Sequence, residues 1–312
     1  MRPLLLLTLL SGCSGTDLSQ AWQLDRVRIL GVSASVEGEP DPILGARSEP
    51  RPGERVTFDA LYYVPDDEFI SGAIWIGCLP ESELSYGCEV DPAAFDGLDG
   101  LDEDASFEEF EEAIEAARQG GFLGFEPDMP PEWTVPADAL DGLSEAEQKE
   151  GTNAFVNISL LGDAKDPEAE PVELGFKRFP VSMADTPNHN PEITDFTVAD
   201  VLLEGAVGFS AQKGFTYIIE PVIPEGHIET YAYTNADGNP EYRSEEPYIT
   251  WFTELGAKEP EDQASFQQEY SLYPFTSIEW TAPKKSGPIT IHAVIRDRRG
   301  GMGWATLKVN VL

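Results

Sequence analysis

The sequence predicts an all-β protein: two antiparallel β-sandwiches in tandem, the first interrupted by an acidic, partly helical insertion. Three observations predict it. Apolar and polar residues alternate over short runs in both halves of the chain, as in RPGERVTFDALYYV and TNAFVNISLL, and a period of two puts one set of side chains on a buried face. Gly, Pro, Asn and Asp punctuate these runs, so turns rather than helices join them. The 312 residues are 41% apolar and 10% aromatic, enough for two proper cores.

The chain opens with Met1, Arg2 and Pro3, then the apolar run Leu4 to Leu10. That run is too short to span a bilayer, which takes about 20 apolar residues, and has the layout of a secretory signal. The quartet Leu10-Ser11-Gly12-Cys13 resembles the lipobox of bacterial lipoproteins. The resemblance implies cleavage before Cys13, a diacylglyceryl group on its thiol and an acylated new amino terminus. Residues 1–12 are then a signal peptide and 13–23 a lipidated tether. Several acyl chains together hold where one binds only marginally. Ser14 in place of aspartate implies an outer-membrane anchor, with the folded part periplasmic or surface-exposed. A general secretory signal that leaves Cys13 just inside the mature chain is the alternative.

The first sandwich is expected over 24–184. RVRILGVSASV alternates imperfectly, RPGERVTFDALYYV cleanly, and ISGAIWIGC carries Trp75 in a third strand; TNAFVNISLL and PVELGFKRFPVSM resume the pattern. Between them, residues 89–152 hold 20 acidic and 2 basic residues. Within this insertion, SFEEFEEAIEAARQGG reads as a helix. Ser106 and Glu109 form a capping box, Gly120-Gly121 stop it, and Phe107, Phe110, Ile114 and Ala117 make a stripe. A second short helix is expected from Ser144 to Glu150. Cys78 and Cys88, an even pair in an exported chain, read as a disulfide closing an eleven-residue loop. A zinc site fails, because no histidine lies near them in sequence.

SMADTPNHNPEI, residues 182–193, marks the boundary, and a second sandwich is expected over 185–312. Strand patterns follow one another there without helical ones, through GFTYIIEPV, IETYAYT, YITWFTEL, SIEWTA, ITIHAVIRD and ATLKVNV. PYITWFTELG, IEWTAP and SGPITIHAVIRDRRGGMGWATLKVNV resemble the second half of bacterial immunoglobulin-like and PKD-like domains. The R-x-R-I-L-G-V opening before P-G-E resembles uncharacterised lipoproteins of deltaproteobacterial type. The resemblance implies an immunoglobulin-like fold for both sandwiches and no particular function, since such modules serve as spacers, adhesins and enzyme accessories alike.

With 57 acidic against 20 basic residues, the net charge is −37. Such a chain repels nucleic-acid phosphates and keeps its folded part off anionic lipid. Salt adaptation and cation attraction both account for the acidity. No G-x-S-x-G, P-loop, H-E-x-x-H or strand-borne G-x-G-x-x-G occurs, and the three histidines are scattered. No catalytic residue and no cofactor is therefore expected. In TNADGNPEY, Asn235, Asp237, Asn239 and Glu241 stand at alternate positions, a weak calcium candidate; a hairpin turn at Asp-Gly is the plainer reading. Trp75, Trp251, Trp280 and Trp304 are expected in sandwich cores. Trp133, in MPPEWTVP, either pins the insertion onto the sandwich or stays exposed for a partner. With Phe107 and Phe110 it is the candidate partner-binding residue.

The expected function is a non-catalytic envelope lipoprotein that binds a protein or polysaccharide partner or serves as a spacer. An accessory carbohydrate-binding subunit of a surface enzyme system and a calcium-stiffened adhesin are the alternatives.

Overall fold

A computed structural model describes residues 20–79, 88, 106–162, 172–204, 208–234 and 239–312. Its first part holds β1 (Gln23–Leu24), β2 (Arg28–Val36), β3 (Arg55–Tyr63), β4 (Gly72–Cys78), α1 (Phe107–Gln119), β5 (Phe122–Glu126), β6 (Glu132–Thr134), α2 (Glu145–Glu150), β7 (Thr152–Leu161) and β8 (Glu173–Val181). Strands β2-β3-β6 form one sheet and β5-β4-β7-β8 the other. Between them lies a core of Val32, Ala34, Val56, Phe58, Trp75, Val156, Ile158 and Phe179.

The second part holds β9 (Asp195–Val198), β10 (Val201–Leu203), β11 (Phe209–Ala211), β12 (Thr216–Val222), β13 (Thr230–Thr234), β14 (Pro240–Ser244), β15 (Tyr248–Glu254), β16 (Ser265–Phe266), β17 (Tyr270–Leu272), β18 (Ile278–Thr281), β19 (Gly287–Arg296) and β20 (Met302–Val311). One sheet runs β1-β15-β19-β20-β11 with β17 also on β15; the other runs β10-β9-β12-β18-β16; β13 and β14 form a separate hairpin. Trp251 and Trp280 are fully buried between the two sheets. The buried indole N–H groups find partners, as such groups must: Trp75 donates to Glu126 at 3.1 Å, Trp251 to Ser271 at 3.0 Å and Trp280 to Thr253 at 3.3 Å.

The described chain is thus a mainly β protein of two β-sandwiches. Pairing is antiparallel except at two sheet margins, where β1 joins β15 and β11 joins β20 in parallel.

Three expectations are corrected. The tether does not extend to residue 23: Trp22 is buried against Phe266 in the second core, with ring centroids 5.8 Å apart, and β1 pairs there. The acidic insertion, expected to be partly helical, also contributes strands: its residues supply β5 to one sheet and β6 to the other. Trp304 lies outside both sandwich cores, half-buried against a third cluster of Leu24, Leu30, Phe252 and Val294.

That third cluster joins the two sandwiches. The register of β2 shifts between Ile29 and Gly31, and Leu30, the bulged residue, turns into the cluster. This bulge is why RVRILGVSASV alternates imperfectly. Gly31 sits at a close approach of the two bodies: a Cβ there would lie 3.0 Å from Met302 Sδ and 3.2 Å from Val294 Cγ1.

Candidate functional site

A cleft of about 680 Å³ opens beside the acidic segment. Local sequence builds its walls. Ser106 accepts from the Glu109 amide at 3.3 Å while Glu109 accepts from the Ser106 amide at 2.8 Å, fixing the start of α1. Ala113 and Ala117 are buried and Ile114 half-buried, so this face of α1 rests on the sandwich. At its far end Gly121 takes φ +95°, and a Cβ there would lie 2.6 Å from the Gly77 carbonyl oxygen. Glycine alone lets the chain pass this close, after which the Gly77 amide donates to the Gly121 carbonyl at 2.8 Å. The Cys78–Cys88 disulfide is formed, with Cα atoms 5.4 Å apart, and Cys78 lines the cleft.

The floor is β6. Trp133 meets Phe179 edge-on at 6.2 Å, so part of its ring is anchored in the first core while the residue lines the cleft. Beside it, two guanidinium groups converge on one carboxylate: Arg55 lies 3.3 Å and Arg118 3.7 Å from Glu132 Oε1, all three being part-exposed. Gln119 and Glu115 complete the polar lining. Among the described residues no histidine lines the cleft, the hydroxyl there is that of Thr134, and Cys78 is spent in the disulfide. Indole face, amide and two forked cations, set against the carboxylates of Glu115 and Glu132, suit an anionic or polyhydroxy group that takes over the guanidinium contacts of Glu132, and among the described residues nothing in the lining pairs a nucleophile with a base.

A second polar constellation lies between the sandwiches. Asp297 caps its own turn, accepting from the amides of Arg299 at 2.7 Å, Gly300 at 3.0 Å and Gly301 at 2.9 Å, and receives Asn188 Nδ2 at 2.8 Å. Arg299 is 2.8 Å from Glu229, 3.0 Å from Glu245 and 3.6 Å from Glu49, and stacks 4.3 Å over Tyr231. Glu49 accepts from the Asn188 amide at 2.7 Å and from the Ser182 hydroxyl, and His189 meets Glu229 at 2.6 Å. Residues 182–193, polar in sequence, are therefore fixed here: Ser182, Asn188 and Asn190 are buried. Burial, then the neighbouring Asp297 charge, pushes the Glu245 carboxyl up to about 7. Burial raises Asp297 as well and lowers the Lys177 ammonium, which donates to the Gly300 carbonyl, to about 8.

Of the residues singled out in sequence, Cys78, Cys88 and Trp133 come together at the cleft. Phe107 and Phe110 begin α1, but their side chains, like Cys13, Asn235 and Asp237, lie outside the described residues. Asn239 precedes β14 and Glu241 lies on it, 3.6 Å from Arg243. Among the described residues no group of three or more His, Cys, Asp or Glu side chains is placed to hold a metal ion. Arg55 and Glu132 were not singled out, and no local signal marks them. Arg118 could have been found as one of two cations among 20 acids.

No protein-family model matches the chain, and no curated protein matches it. Among solved structures, the fibronectin(III)-like modules of Clostridium thermocellum CbhA share 8% identity, over 89% of this chain and 93% of that one, with a TM-score of 0.25. The chicken CNTN1 FN1–FN3 domains share 8% over 92% and 65%, at 0.21. The D00–D0 domain of Intimin shares 8% over 89% and 96%, at 0.23. Scores this low carry no argument about what this chain does.

Proposed function

We propose that this protein is a non-catalytic lipoprotein of the cell envelope, moored to the outer membrane through acyl chains on Cys13, which offers the cleft at Trp133 to a protein or polysaccharide partner. The quartet Leu10–Cys13 supports the mooring. The observation that carries the recognition role is the convergence of Arg55 and Arg118 beside a half-buried Trp133, in a chain of net charge −37. Two cations kept together on so acidic a surface favour a partner bearing carboxylate or sulfate groups.

The test is capture from detergent-solubilised envelopes with the full chain, Arg118→Glu and Trp133→Ala. A partner retained by the full chain and lost with both variants supports the reading, provided both keep the wild-type melting temperature. Equal capture by all three rejects it. A spacer role is a second reading, favoured by the buried polar junction between the sandwiches, which holds them as one body.

A further inference from the structure

A second concavity lies on the other sandwich. Two strands share the same margin of β15: β17 pairs with Tyr248–Thr250, and β1 with Thr253–Glu254. Between them runs a groove of about 530 Å³ lined chiefly by Ala21, Trp22, Tyr248, Tyr270, Leu272 and Arg298. The turn that follows β17 extends this apolar surface into solvent: Tyr270 is 56% exposed, Leu272 44%, Tyr273 43% and Phe275 83%. A soluble surface rarely concentrates such side chains without covering them.

The path of the chain says what covers them. Ala21 and Trp22, which wall the groove, stand directly after Gln20, and seven residue steps separate Gln20 from Cys13. Seven residues span at most about 25 Å when fully extended. An acylated Cys13 therefore holds this margin of β15 within that distance of the bilayer surface.

The chemistry of the patch matches that location. Tyrosines place an apolar ring and a polar tip at the level of the head groups, and Phe275 and Leu272 supply apolar area. The lining holds one cation, Arg298, and one carboxylate, Glu269, and Arg298 also lies 3.8 Å from Glu246 and 5.9 Å from the Tyr248 ring. A balanced patch on an acidic body suits zwitterionic rather than anionic head groups. Leu174 and Phe176 on β8 are also exposed, but the described chain does not lead from them to the anchor.

We infer that the margin of the second sandwich formed by β1, β17 and the turn through Phe275 lies on the lipid interface, and so fixes the orientation of the anchored molecule. The inference rests on the reading of Cys13 as the anchor. The full chain, with its acylation read by peptide mass, is placed on neutral phosphatidylcholine vesicles and footprinted with hydroxyl radicals. The Cys13→Ser chain, free in solution at equal concentration, is the reference.

Side-chain oxidation at Tyr270, Leu272, Tyr273 and Phe275 is expected to fall severalfold on vesicles, with Leu174 and Phe176 unchanged. Tyr270→Ser with Phe275→Ser should stay vesicle-bound through Cys13 and lose protection at Leu272 and Tyr273. Acylated Cys13 with unaltered oxidation of the patch overturns the docking and leaves the anchor standing, whereas unmodified Cys13 overturns both. Protection that appears in the free chain and grows with concentration means that a second copy covers the patch, which also overturns it.

Discussion

Arg299 is the residue on which the junction turns. Three carboxylates face it within 4 Å, and its side chain is 15% exposed. Removing one partner of a buried ion pair strands the other. Arg299→Met should therefore destabilise by about 3–5 kcal/mol in chemical denaturation at neutral pH. Glu245 carries the opposite expectation. Its folded pKa of about 7 lies above its ordinary value of 4.5. The folded state thus favours the protonated acid, and stability falls as pH rises through that window. Glu245→Gln, which stays neutral, should match the wild type near pH 5 and melt higher near pH 8.5, by about 2–4 °C per kcal/mol relieved. Equal pH profiles for the two proteins would show that Glu245 binds its proton no more tightly folded than unfolded, so that burial in the junction does not raise it.

At the scale of elements, the disulfide and β6 carry the cleft. Cys78–Cys88 closes an eleven-residue loop, which on the chain-entropy model stabilises by somewhat under 3 kcal/mol. Cys78→Ser with Cys88→Ser should cost about that much in denaturant while α1 and both sheets persist by circular dichroism. The regular elements were legible because their patterns are local. The capping box at Ser106 and Glu109, the alternation in β3 and β7, and the tryptophans of β4, β15 and β18 declare themselves within a few residues. What escaped depends on distant partners. Nothing in EWT marks it as a strand until Arg55–Thr57 lies alongside, and Trp304 reads as core until the other sandwich arrives at its outer face. Asp297 likewise escaped. Its buried partner Asn188, and the Glu49 that holds Asn188, stand more than a hundred positions upstream.

For the whole molecule, the claim is that two sandwiches act as one body carried on a short lead. Gly31 is the point at which this can be undone without touching either core. Gly31→Leu would drive a side chain into Met302, Val294 and Trp304. Overpacking of that kind costs about 1–3 kcal/mol and should separate the bodies, seen as a larger radius of gyration by small-angle scattering with Trp75 and Trp251 still buried. An unchanged scattering curve would mean that the junction absorbs the extra volume.

The location proposed for the molecule rests on its thirteenth residue. Mass spectrometry of the amino-terminal peptide from native membranes is predicted to show a chain starting at Cys13, carrying both a thioether-linked diacylglycerol and an amide-linked acyl group. A peptide that still begins at Met1, or a free thiol at Cys13, would contradict the account.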